Sequence, residues 1–200
     1  YRVFDLSKLI LSHGEYDLSI DAFNYLIDLP NAKDQIYYTE AKQALLSAQF
    51  QQFQQLNVPA KNDIDNLQDI FETTLNEVGR NRYSIFSIMD YASFLSFYRD
   101  MPDEAIFELE DLIENKGLNN REKAPVKLLL ADIYLLYDNP WDATLLYSQV
   151  EKDFKNDEIG FDARLKNARL SFYVGEFGWA KAQLDVIKAS TGKKIANDAM

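Results

Sequence analysis

The stretch "KNARLSFYVGEFGWAKAQLDVI", residues 166–187, carries two glycines three positions apart among aromatic residues. Such a corner reads either as a loop that cradles a phosphate or as the turn between two packed helices. The phosphate reading needs spaced glycines, a Gly-Lys-Ser/Thr ending and a preceding strand, and "VGEFG" (174–178) offers none of them. The later "STGKK" (190–194) ends in Gly-Lys, but Ile187 stands where the first glycine of that motif belongs, so it reads as a lysine-rich loop. The helical reading accounts for more. "LLADIYLLYDNPWDATLLYSQV" (129–150) superposes on 166–187 without a gap, matching Ala131 with Ala168, Ala143 with Ala180, Tyr147 with Leu184 and Val150 with Ile187.

The same theme recurs upstream. "SKLILSHGEYDLSIDAFNYL" presents Ser7, Gly14, Tyr16, Ser19, Phe23 and Leu26, and "SFLSFYRDMPDEAIFELEDL" presents Ser93, Ala105, Leu109 and Leu112. A degenerate copy between Tyr37 and Val78 keeps Leu67 and Phe71 but has a longer loop around "LNVPAKN". From Ser19 through Leu67, Ala105, Ala143 and Ala180 the steps are 48, 38, 38 and 37 residues. Two antiparallel helices approach closely only where a small residue faces a large one, which explains Ala or Ser at these places. Large apolar residues four and seven positions later continue one face of the second helix. Glycine at the corner lets the first helix end in a left-handed turn.

The remaining punctuation agrees. Gly14, Gly79, Gly117, Gly160, Gly175 and Gly192 fall between helix-length apolar runs, and Pro102, Pro125 and Pro140 stand at or near the start of such runs. No Asn-Gly or Asp-Gly hairpin signal is present. The expectation is an all-α chain of about ten helices, arranged as five hairpins over 1–33, 37–82, 83–118, 122–156 and 160–193, with a further helix starting at 194–200.

Composition narrows the function. Hydrophobic residues make up 47% and charged residues 26% of the 200, which fits a folded domain. The net charge of −11 is spread evenly, −6 over 1–100 and −5 over 101–200, so no basic half is available to grip nucleic acid. The absence of cysteine excludes disulfides, thiolate metal sites and a cysteine nucleophile. No apolar run reaches the roughly 18–20 residues of a membrane span.

These residues resemble the tetratricopeptide repeat (TPR) family: Gly175-Glu176-Phe177, Ala180 and Leu184, and Gly14-Glu15-Tyr16 and Phe23, follow its corner and packing pattern. Ser19 and Leu67 depart from it at the alanine position, and the repeats run longer than usual. The resemblance implies a right-handed α-α superhelix whose first helices line a concave face. Position by position, that face would hold Asp90, Phe94, Phe97, Tyr98, Leu128, Asp132, Leu135, Arg169, Phe172 and Tyr173, with Leu165 beside them. It also implies a protein or peptide partner, one basic at its edges and apolar at its centre. The alternative is that most of these side chains fill the seams between repeats. The Lys and Asn of repeats that clamp chaperone C-termini are replaced here by Asp90, Phe94, Leu128 and Asp132. The segment from Phe177 onward resembles long repeat proteins of Bacteroidota, which implies export to the periplasm.

No catalytic, cofactor or metal constellation is expected. Glu104, Glu108, Asp111 and Glu114 follow the outward side of a helix, and Asp153 with Asp157 lacks the order of a calcium loop. His13, the single histidine, sits in a corner and leaves no partner for a triad. The expected function is a non-catalytic interaction scaffold. The alternatives are a helical α/α-toroid enzyme fragment and a spacer or oligomerisation module that associates through its C-terminal end.

Overall fold

The computed structural model describes residues 2–190, which form ten α-helices with no strand among the described residues. The expected helix over 194–200 and the loop at 190–194 lie outside the described residues, apart from Ser190. By packing, the chain divides into two compact units, 1–100 and 101–200.

The first unit holds α1 (Arg2–Ser12), α2 (Tyr16–Ile27), α3 (Tyr38–Phe53), α4 (Lys61–Val78) and α5 (Ile85–Phe94). Each helix packs on the next, and α3 also touches both α1 and α5. α3 buries Ala41, Leu45, Leu46, Ala48, Phe50 and Phe53, which repeat at helical spacing and turn the polar residues between them outward. Phe4, Phe23, Leu26, Ala41 and Leu45 form one core cluster. Farther along, Phe50, Phe71 and Phe94 meet at centroid distances of 5.4–6.5 Å, joining α3, α4 and α5 through an aromatic core. A π turn over Leu95–Arg99 extends α5 and ends at Asp100, whose φ of 54° is left-handed.

The second unit holds α6 (Pro102–Asn115), α7 (Asn120–Leu136), α8 (Pro140–Asp153), α9 (Glu158–Tyr173) and α10 (Phe177–Ser190). Ala131, Ala143 and Ala168 have no exposed surface and Ala180 almost none, so the small residues sit at helix contacts as their spacing requires. Around them close Leu128, Tyr147, Val150 and Leu170. α7 starts two residues before the expected 122. Asn119 Oδ1 accepts hydrogen bonds from the Arg121 and Glu122 amides, and the Glu122 carboxylate accepts one from the Asn119 amide at 2.9 Å. This capping box starts the helix at Asn120 and leaves Pro125 inside it.

The corner at 174–178 is a helix end. Gly175 adopts φ 87°, and the Glu176 amide donates to the Ser171 carbonyl at 2.8 Å, closing a left-handed C-terminal cap. The α7–α8 corner closes in the same way, from the Asn139 amide to the Tyr134 carbonyl, with Asp138 (φ 60°) in the place of the glycine. Gly160 is no corner residue. It lies within the first turn of α9, buried against the backbone of Phe154 just past the end of α8.

Candidate functional site

In the first unit, the outward faces of α1, α3 and α5 line a groove of about 890 Å³. Gln43, Ser47 and Gln51 recur every four residues along α3 and supply amide and hydroxyl groups beside the buried face of the same helix. Across one end, Lys8 Nζ on α1 lies 2.8 Å from Glu40 Oε1 on α3. Burial pushes the Asp90 carboxyl on α5 up to about 6, against the opposing pull of a hydrogen bond with Ser47. Apolar side chains border this polar floor: Ile36, Tyr83 (80% exposed) and Phe86 (75% exposed).

The turn between α4 and α5 fixes the backbone from which Tyr83 projects. Gly79 (φ 83°) ends α4, Asn81 Oδ1 accepts the Tyr83 amide at 2.8 Å, and the buried Ser84 hydroxyl donates to the Gly79 carbonyl at 2.7 Å. Tyr83 therefore points from an ordered turn rather than from a loose loop.

Of the residues the TPR pattern assigns to this face, Asp90 lies in the groove. Phe94 does not reach solvent: it packs between Phe50, Phe53 and Phe71 and fills the core of its unit. Tyr98 is half-buried and stacks on Phe94 at 6.1 Å. Phe97, on the π turn, is more than half exposed but does not line the groove.

In the second unit, Leu128 is buried in the core cluster, so it joins Phe94 as a packing residue instead of a contact residue. Asp132 is already engaged: Oδ1 accepts the Tyr147 hydroxyl at 2.5 Å, and both carboxylate oxygens accept Lys166 Nζ, at 3.0 and 2.8 Å. Asp162 has its carboxyl raised by burial and also by Asp132, while Lys166 and Arg169 pull it down. Leu135, Arg169, Phe172 and Tyr173 are exposed, and the Phe172 ring contacts Tyr173 at 6.0 Å and Phe177 at 5.2 Å. Arg169, Phe172 and Tyr173 thus cluster on the last turns of α9.

Solved structures with the same arrangement of helices belong to repeat proteins. TPR-like repeats of a Podosopora anserina kinesin light chain match with a TM-score of 0.69 and 13% identity, over 94% of this chain and 92% of that one. A thermophilic TPR protein of Thermus thermophilus matches with a TM-score of 0.63 and 16% identity, over 97% and 92%. The fold is TPR-like. No protein-family model matches the sequence, and no curated protein does either.

The groove of the first unit is built by α1, α3 and α5. The pattern reading missed Ile36, Tyr83, Phe86, Gln43, Ser47 and Gln51. The signal was present in the degenerate second copy, where Gln43, Ser47 and Gln51 form a polar stripe beside the buried face of α3. Among the described residues, no group of three or more His, Asp or Glu side chains is placed to hold a metal ion. His13 is exposed and directs Nδ1 to the Leu9 carbonyl at 2.8 Å, and Asp111 pairs with Lys116 at 2.7 Å. No described helix is long and apolar enough to cross a membrane.

Proposed function

We propose that the chain is a non-catalytic interaction scaffold, a single array of five helical hairpins that takes a segment of a protein partner on the concave face of its first helices. The observation that carries this reading is the groove of the first unit, where the exposed Tyr83 and Phe86 rings border a floor of side-chain amides with Asp90 on its α5 wall. Aromatic side chains have few rotatable bonds, so they lose little entropy on contact, and they are the usual carriers of interface energy. The side-chain amide of Gln43 and the side-chain carbonyl of Gln51 suit a peptide backbone, which offers donors and acceptors along its whole length. A cationic side chain on the partner would return to Asp90 the charge stabilisation that burial removes. The fitting partner is therefore an apolar segment carrying Lys or Arg. Phe97, Tyr98, Leu135, Arg169, Phe172 and Tyr173 complete the candidate contact set.

Affinity purification with the full chain supplies a partner, and hydrogen exchange of the chain alone and in complex then maps its footprint. Slowed exchange over 36–51 and 81–90 is expected. Slowing confined to α2 and α4, or none, would overturn the proposal.

A further inference from the structure

We infer that the outer flank of the second unit carries a separate docking trench for an acidic segment with an apolar anchor. The trench runs along one face of α8, between α8 and α10, over the side of α9. Its first half, of about 340 Å³, lies between Trp141 and Trp179 with Leu170 beneath and Val174 at one end. Its second half, of about 380 Å³, shares Thr144 and Trp179 with the first and is lined by Ser148, Lys152, Lys155 and Asn167.

Three features point to that ligand. Trp141 and Trp179 are the only tryptophans in the chain, and both stand in this one trench, 79% and 59% exposed. Paired indoles at this exposure form an anchor pocket whose apolar surface a guest would cover. The second half is basic although the chain carries −11 overall: Arg164 is neutralised by Glu151 at 2.8 Å, which leaves Lys152 and Lys155 without an acidic partner among the described residues. The acid Glu176 lines only the tryptophan half, so the trench is polarised along its length.

From Trp141 to Lys152 the trench spans about 16 Å of helix, room for about five extended residues of a guest. One large apolar side chain would seat between the indoles, and Asp or Glu residues a few positions away would meet Lys152 and Lys155. The charge preference is opposite to that of the groove in the first unit, so the two sites would select different segments.

Because both tryptophans lie in the trench, their emission reports its occupancy directly. A display library of ten-residue peptides without tryptophan, panned on the full chain, is expected to yield sequences that join a large apolar residue to two or more acids. These peptides should shift the tryptophan emission saturably. The double substitution Lys152→Glu with Lys155→Glu should weaken them at least tenfold, with circular dichroism unchanged because both side chains are exposed. Trp141→Ala should weaken them similarly, read through Trp179. Selected peptides that bind the lysine double variant as tightly as the wild type would overturn the inference. So would basic or uncharged selected peptides, or an emission shift that follows the concentration of the chain alone and marks a second copy as the occupant. Asp90→Asn, in the other unit, should leave this binding unchanged; loss of binding there would assign the peptides to the first groove and overturn the trench.

Discussion

The hydroxyl of Tyr147 lies 2.5 Å from Oδ1 of Asp132, so a residue assigned by pattern to a partner-binding face also bonds a tyrosine of the core. Burial, and then the Asp132 charge, raise the Tyr147 phenol above its ordinary value of 10.0. The fold thus keeps the neutral phenol. This contribution is complete below about pH 10 and is lost as pH rises further, because the unfolded chain then releases a proton that the folded chain retains. Tyr147→Phe should cost about 1–2 kcal/mol at pH 7 and should flatten the fall in stability above pH 10. Chemical denaturation at pH 7 and at pH 10.5 measures both effects.

Asp90 has the opposite consequence at neutral pH. Its carboxyl titrates at about 6 in the fold against 3.8 for an ordinary aspartate, so the protonated form is favoured by folding. Its stabilising contribution is complete below about pH 4 and is lost as pH rises through 6, leaving a buried charge at pH 7. Asp90→Asn should therefore stabilise the chain by up to about 3 kcal/mol at pH 7.5 and change little at pH 3.5. Equal melting shifts at the two pH values would contradict this assignment.

The packing alanines should tolerate enlargement poorly. Ala143 is fully buried and Ala180 nearly so, each at a helix contact of the second unit. Ala143→Leu and Ala180→Leu should each cost about 1–3 kcal/mol by overpacking. Unchanged thermal melts in both would show the repeat register to be wrong.

Two glycines close in sequence should respond with opposite sign. A Cβ on Gly160 would fall 1.9 Å from the Phe154 carbonyl oxygen, a backbone atom that cannot swing aside. Gly160→Ala should cost about 1–3 kcal/mol. Gly178, within α10, has open space around it, and Gly178→Ala should gain about 0.5–1 kcal/mol from helix propensity. Denaturation midpoints of the two variants check the pair.

Much of the architecture was legible because its causes are local. Ala131 and Ala143, repeated as Ala168 and Ala180, announced the close helix contacts, and Gly175 announced the left-handed end of α9. Asp138 shows that the same corner forms without glycine, which a glycine count overlooks. α7 was expected from 122 and starts at Asn120, because the capping box at Asn119 and Glu122 sets its first turn and leaves Pro125 inside the helix. Gly160 looked like a corner, although its role is close approach to the α8 terminus. Phe94 and Leu128 share a helical periodicity with exposed neighbours, and only the position of adjoining helices decides which of those residues the core takes. The groove of the first unit was hidden for the same reason. It requires the outward faces of α1, α3 and α5 to be brought side by side, and α3 belongs to the least regular copy.

The central claim, that a partner docks on the groove of the first unit, is tested most directly by calorimetric titration of a purified partner into the wild-type chain and the Tyr83→Ala/Phe86→Ala variant. Both side chains are largely exposed, so the variant should melt with the wild type. Loss of two aromatic anchors, worth about 2 kcal/mol or more each when buried, predicts binding weakened at least tenfold. A variant that melts like the wild type and binds the partner with undiminished affinity would contradict the account.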